Sequence, residues 1–155
     1  MRLDRGWIES HIPHRGRMCL LDEVLAWDAT RIECRSSTHR ALDNPLRADG
    51  RLGAACGIEY AAQAIAVHGA LIAATSNALP AVGYLASVRN VTLYVARIDE
   101  VETDLVARGE RVTGDDSAVL YEFSVSSADS VLLSGRATIA FAIYASGPTG
   151  IQVTR

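Results

Sequence analysis

Two polar side chains interrupt a long apolar stretch and are the first candidates for chemistry. Glu59 and Gln63 are four residues apart in the segment 52–76, so on a helix they share one face. A carboxyl in such surroundings is costly unless it is paired or used. We therefore take Glu59 as a candidate for acid or base chemistry, with Gln63 binding substrate or orienting the carboxyl. The alternative is that Glu59 faces a small polar pocket or a subunit interface.

A histidine in a loop is the second candidate. His14 follows Pro13 in the segment PHRGRM, where proline and glycine predict a loop. An imidazole can accept or donate a proton near neutral pH, so His14 could complement Glu59. The alternative interpretation is a solvated or hydrogen-bonded loop histidine.

The start of the apolar stretch is the third candidate. Gly53 and Ala54 lie where a helix would begin, and a helix start has free backbone N–H groups and the positive end of the helix dipole. Such groups could stabilise a developing enolate oxygen on a thioester carbonyl. The alternative is that these residues only turn the chain and cap the helix.

The remaining histidines and the cysteines do not suggest a metal site. His68 is nine residues beyond Glu59, on the opposite side of a helix, and we expect it in the core or at an interface. The four histidines have no local ligand spacing, so no metal is expected. Three cysteines without a CxxC pair predict free thiols in a reducing cytoplasm.

Composition limits the class of protein. The chain has 155 residues, 49% hydrophobic and 21% charged, which is typical of one globular domain. We place that domain at residues 1–145 and predict a flexible tail at 146–155. A net charge of −3 gives no reason to expect nucleic acid as a partner. The segment 52–76 is long enough to span a membrane, but its carboxyl and its many Gly and Ala residues favour a buried helix and no membrane.

The order of elements predicts the fold class. A short helical turn in residues 1–12 precedes two strands, at 18–26 and 30–39, and the long helix at 52–76 follows a loop. Four β-rich segments come next, at 82–95, 102–111, 118–126 and 131–143, with turns at 114–116 and 127–129. One buried helix among six strands predicts an α+β domain with an antiparallel sheet wrapped around that helix. Open sheet edges need protection, so we expect a homodimer.

Several short motifs, in this order, resemble those of one enzyme family. The segment Ile12-Pro13-His14-Arg15, followed by Met18-x-Leu20-Leu21-Asp22-x-Val24, is similar to the opening of the hot-dog-fold 3-hydroxyacyl-[acyl-carrier-protein] dehydratases. Ile58-Glu59-x-x-Ala62-Gln63 resembles their E-x-M-A-Q signature on the central helix, and the segment 83–91 looks like the strand after it. The resemblance covers residues 8–95.

This resemblance implies a hot-dog fold, a curled antiparallel sheet around one long central helix, and removal of water from a 3-hydroxyacyl thioester. It implies Glu59 as a catalytic group and no resident cofactor, with the acyl group carried on the phosphopantetheine of an acyl carrier protein or on CoA. The family's loop histidine would fall at Pro45, where this chain has none. The chain looks closer to a divergent branch, associated with aryl polyene synthesis, that can pair with a second hot-dog subunit.

Three functions remain open at this stage. The first is a dehydratase of fatty acid or polyene metabolism, an enzyme of the hydro-lyase type that uses Glu59 and His14. The second is a non-catalytic hot-dog subunit or acyl-binding partner of an active dehydratase, which the missing loop histidine favours. The third is a hot-dog thioesterase, which uses a helix carboxylate with water.

Overall fold

A single six-stranded antiparallel sheet and one long helix make up the fold. The structure is a computed structural model that describes residues 2–77 and 83–141. The short helix α1 spans Arg5–His11 and the central helix α2 spans Gly57–Thr75. The strands are β1 Glu23–Trp27, β2 Arg31–Ser36, β3 Gly83–Leu93, β4 Leu105–Gly114, β5 Ala118–Ser127 and β6 Ser130–Phe141. The sheet order is β1-β2-β4-β5-β6-β3, with every neighbouring pair antiparallel.

Helix α2 lies on the inner face of the sheet, against β2, β4 and β5. Nine of its nineteen residues are buried against the rest of the protein, whereas its composition predicts burial on most sides. Two glycines allow close contact between helix and sheet. A Cβ on Gly109 of β4 would lie 3.1 Å from Cγ1 of Ile65, and a Cβ on Gly57 would lie 2.5 Å from Cδ2 of Leu133 in β6. This arrangement is the hot-dog fold, and the α+β prediction is confirmed.

The helical segment 54–75 is long and apolar enough to span a membrane, but half of an 18-residue stretch within it is buried inside the protein. Core packing on the sheet explains this apolar composition without a membrane. His68, on the sheet side of α2, is fully buried and belongs to the core.

Two predicted elements differ from the structure near the site. The strand predicted at 18–26 begins only at Glu23; before it, Gly16–Met18 form a 3-10 turn and residues 19–22 belong to no helix or strand. The helix predicted from Leu52 begins later, because Ala54–Cys56 form a 3-10 turn and α2 starts at Gly57. In both places backbone hydrogen bonds to distant segments replace the regular pattern. The predicted tail at 146–155 lies outside the described residues.

The other boundaries agree within a few residues. The strand predicted at 102–111 is shifted to Leu105–Gly114, and the turns at 114–116 and 127–129 lie where predicted. All three cysteines are free thiols, as expected from their spacing.

Candidate active site

The two residues proposed for proton transfer lie side by side. His14 Nε2 is 3.2 Å from Glu59 Oε1, although one comes from a loop near the N-terminus and the other from the first turn of α2. The side chains are 27% and 34% exposed, so the pair is accessible to a substrate. The Nδ1 atom of His14 is buried and has no hydrogen-bond partner among the described residues. An imidazole and a carboxyl group are therefore within hydrogen-bond distance of each other at the surface of the helix.

The side chain of Gln63 bonds both to Glu59 and to the backbone of the segment 18–20. Its amide Nε2 donates to the Met18 carbonyl at 2.7 Å and to Glu59 Oε1 at 3.3 Å, and its Oε1 accepts the Leu20 N–H at 2.9 Å. The side chain is fully buried. Because both amide hydrogens are engaged, Gln63 orients Glu59 and anchors the segment 18–20, and it has no free donor for a substrate. Of the two roles expected for Gln63, these contacts favour orienting Glu59 over binding substrate.

The loop that carries His14 is fastened to helix α1. The Gly16 N–H donates to Glu9 Oε1 at 2.6 Å, and Arg5 Nη2 donates to the Gly16 carbonyl at 3.1 Å. Arg15 Nη1 donates to the Ile12 carbonyl at 2.8 Å. Gly16 has a φ of +58°, a left-handed conformation in which glycine is favoured. The PHRGRM segment is therefore an ordered turn, and its contacts determine where the imidazole sits.

A buried polar network supports the other side of the site. The Tyr60 hydroxyl, one residue after Glu59, is bonded to Thr38 Oγ1 at 2.8 Å and accepts from Asn44 Nδ2 at 2.9 Å. Thr38 Oγ1 also donates to the Leu20 carbonyl at 2.9 Å. Burial raises the pKa of the Tyr60 hydroxyl, so Tyr60 stays neutral and structural. The network joins α2 to the segment 18–20. Together with the bond from the Leu20 N–H to Gln63, it satisfies both main-chain polar groups of Leu20.

At the helix start, one of the two backbone N–H groups predicted to bind substrate, that of Ala54, is already bonded within the protein. The Ala54 N–H donates to the Ala96 carbonyl at 3.1 Å, and Ala54 is 1% exposed. Ala54 therefore cannot offer its N–H to a thioester carbonyl in this conformation. The N–H groups of Gly53 and Ala55 have no acceptor among the described residues, and both residues are exposed. The Ala55 N–H is a candidate donor that the sequence did not indicate, because only the folded chain shows which N–H groups are already bonded.

The structure also describes the position at which the loop histidine of the resembled family would fall. Pro45 is exposed in the loop between Ala41 and Arg51, next to the buried Asn44. The nearby thiol of Cys56 does not replace it as a reactive group, because burial raises its pKa. His14 is thus the imidazole that contacts Glu59 in the described part of the chain.

Known structures share this architecture. A chain of the dehydratase heterocomplex ApeI:P from Xenorhabdus doucetiae aligns with a TM-score of 0.76 and 23% identity, over 86% of this chain and 90% of that chain. A mutant thioesterase from Pseudomonas aeruginosa aligns with a TM-score of 0.56 and 15% identity, over 77% and 79% of the two chains. A thioesterase mutant from Staphylococcus aureus gives 0.58 and 12%, over 77% and 91%. At such low identities, these TM-scores show a shared fold and nothing more.

Family membership rests on the sequence itself. No curated protein matches the chain. The model of the ApeP-like family, described as ApeP dehydratase, matches residues 7–142. That range includes the His14 loop, the central helix and all six strands. This chain is a dehydratase-like hot-dog protein that belongs to the ApeP-like dehydratase family.

Proposed function

We propose that the protein removes water from 3-hydroxyacyl thioesters carried by an acyl carrier protein. The observation that carries this proposal is the contact between His14 Nε2 and Glu59 Oε1 at 3.2 Å. A β-elimination needs a base for the α-proton and an acid for the departing hydroxyl, and this pair supplies both kinds of group. Family membership supports the same reaction class.

The reaction can be written with the groups of the site. One member of the pair removes the α-proton, and the electron pair of that C–H bond becomes the new carbon–carbon double bond. The C–O bond at the β-carbon breaks, and the hydroxyl leaves as water with a proton from the other member. Negative charge gathers on the thioester oxygen, and the N–H groups of Gly53 and Ala55 would stabilise it. The acyl group would arrive on a phosphopantetheine arm, with no resident cofactor or metal required.

Mass spectrometry of 3-hydroxyacyl carrier protein thioesters tests this reaction. The expected product has lost one water and keeps its thioester. Removal of one acid–base partner typically costs about 100-fold or more in rate, so Glu59→Gln and His14→Gln should each lower the rate by about that factor. The matched controls are Glu110→Gln and His11→Gln. Glu110 is exposed on β4, and His11 is exposed with its Nδ1 bonded to the Trp7 carbonyl and not to Glu59. Equal rates for Glu59→Gln and Glu110→Gln would contradict the assignment.

We further propose that a second hot-dog subunit of different sequence covers strand β3. This strand is at the edge of the sheet, pairs with β6 alone and leaves nine of its eleven residues exposed. Apolar side chains continue along it, with Tyr84 60% and Leu93 47% exposed. A long apolar edge strand is an aggregation hazard unless another chain covers it. The heterocomplex formed by the ApeI:P relative supports a partner of the same fold.

Light scattering and co-purification with a second hot-dog protein test this assembly. Leu93→Arg should abolish association, whereas Leu25→Arg should not. Leu25 is a close control because it is also 47% exposed but lies on β1, at the opposite edge of the sheet. A stable homodimer that excludes the other subunit would replace the heteromer by self-association. Association that tolerates Leu93→Arg would place the interface elsewhere.

Two alternative activities have distinct readouts in the same experiments. If the thioester stays unchanged at every chain length until a partner is added, the protein acts as a supporting or acyl-binding subunit; the absence of a histidine at Pro45 favours this second candidate. A thioesterase would release a free thiol, which a thiol reagent detects. A dehydratase leaves the thioester bond intact.

A further inference from the structure

The chain that leaves strand β3 is paired with the chain that enters helix α2. The Ile98 N–H donates to the Leu52 carbonyl at 2.9 Å, and the Ala54 N–H donates to the Ala96 carbonyl at 3.1 Å. Between these bonds Gly53 lies opposite Arg97 in an antiparallel bridge. This short ladder fixes the backbone immediately before the helix that carries Glu59.

A buried carboxylate completes the ladder. Asp99 Oδ1 accepts the Leu52 N–H at 3.0 Å and Arg97 Nε at 2.9 Å, and Asp99 Oδ2 contacts Arg97 Nη2. Arg47 Nη1 also lies near this carboxylate, 3.8 Å from Asp99 Oδ2. The Asp99 side chain is 6% exposed. The Arg97 guanidinium holds the pKa of Asp99 well below its usual range, so Asp99 stays charged.

Arg47 connects the same carboxylate to the loop before the helix. Its guanidinium donates to the carbonyls of Ala41 and Gly50, each at 2.9 Å, and to the His39 carbonyl at 3.2 Å. The loop that replaces the family's histidine-bearing loop is thereby tied to Asp99. A charged acceptor with two guanidinium partners is strongly held, because ionised hydrogen bonds are shorter and stronger than neutral ones.

The ladder decides which N–H groups face outward. The N–H groups of Leu52 and Ala54 donate to Asp99 Oδ1 and to the Ala96 carbonyl. The N–H groups of the alternating residues Gly53 and Ala55 have no acceptor among the described residues. Ala55 lies in the 3-10 turn immediately before α2, four residues before Glu59 in the sequence. A shift of the ladder would move the Ala55 donor relative to Glu59.

We propose that Asp99 is a positioning residue, which acts through Leu52 to aim the Gly53 and Ala55 N–H groups at the thioester carbonyl. This inference rests on the proposed function. A misplacement of about 1 Å can cost about 100-fold in rate, so loss of Asp99 should affect the transition state more than substrate binding.

Steady-state kinetics of three variants test the inference. Asp99→Ala should lower kcat at least about tenfold with KM changed by less than about twofold. Asp99→Asn should recover part of that loss, because an amide oxygen can still accept the Leu52 N–H, whereas the amide NH2 cannot accept from the two guanidinium groups. Asp104→Asn is the matched control; Asp104 also holds two arginines, Arg35 at 3.0 Å and Arg40 at 2.5 Å, but has no bond to the helix start. Wild-type kcat in Asp99→Ala, or a change in KM alone, would overturn the inference.

A second measurement does not depend on turnover. The amide resonances of Gly53 and Ala55 should shift when wild-type protein or Asp99→Asn binds a stable acyl-pantetheine amide, and the shifts should shrink in Asp99→Ala. Glu59→Gln should retain them, because it leaves the ladder intact. Shifted amides in a protein that does not dehydrate would refute the proposed reaction and keep the positioning role. Dehydration without any response of the two amides would refute the positioning role alone, and this comparison holds even if Asp99→Ala fails to fold.

Discussion

The buried amide of Gln63 offers the most direct test of how the site is built. Gln63→Leu keeps approximately the same side-chain volume and removes all three hydrogen bonds that the amide makes with Met18, Leu20 and Glu59. The Leu20 N–H is then left without an acceptor at a fully buried residue. The Met18 carbonyl loses its donor at a residue that is 38% exposed, where water can replace it.

The magnitude follows from these two groups. An unsatisfied buried N–H costs about 1–3 kcal/mol, and a carbonyl that water can reach costs less. The lost hydrogen bond to the Glu59 carboxylate is long, at 3.3 Å, and therefore adds only a small further cost. The substitution should lower the free energy of unfolding by about 3 kcal/mol. It should also release the segment 18–20 and, through it, the loop that places His14 against Glu59.

Urea unfolding followed by circular dichroism measures this change. Glu59→Gln is the matched control on the same helix face: Glu59 is one-third exposed, so its substitution should change the free energy of unfolding by less than about 1 kcal/mol. A loss below about 1 kcal/mol for Gln63→Leu would refute the reasoning, because the Leu20 N–H would then have found another acceptor at little cost.

Two further predictions concern the core. Gly57→Ala should lower the free energy of unfolding by about 1–2 kcal/mol, because a new Cβ would lie 2.5 Å from Cδ2 of the buried Leu133. Gly69→Ala should raise it by up to about 1 kcal/mol, because no atom lies near its Cβ position. Equal free energies of unfolding for the two variants in chemical denaturation would contradict this. Burial lowers the pKa of His68, whose Nδ1 and Nε2 are bonded to the Tyr121 hydroxyl and the Asp28 carbonyl. The unfolded chain then binds more protons than the folded one below pH about 6.5, so the free energy of unfolding should fall between pH 6.5 and 5. Urea titrations in this window check the sign, and a rise towards pH 5 would contradict it.

The sequence determined the elements and the two candidates for acid–base chemistry, Glu59 and His14. The length and composition of 52–76 predict one buried helix, and β-rich segments separated by Gly, Asp and Ser predict the sheet, because local propensity and apolar pattern act over a few residues. The four-residue spacing of Glu59 and Gln63 placed them on one face of the helix. The resemblance of the His14 and Glu59 segments to one family added the reaction class.

Tertiary structure decided what each polar group does. No spacing shows that Gln63 is fully buried and uses both amide hydrogens on Met18 and Glu59, because those partners come from separate parts of the chain. The Ala54 N–H was assigned to the substrate from its position at the helix start, yet a strand-like bridge to Ala96 occupies it. Asp99 gave no signal in the sequence, since its importance depends on the Leu52 N–H that it accepts. Hydrogen bonds between segments distant in sequence settle these roles, and only the folded chain brings such segments together.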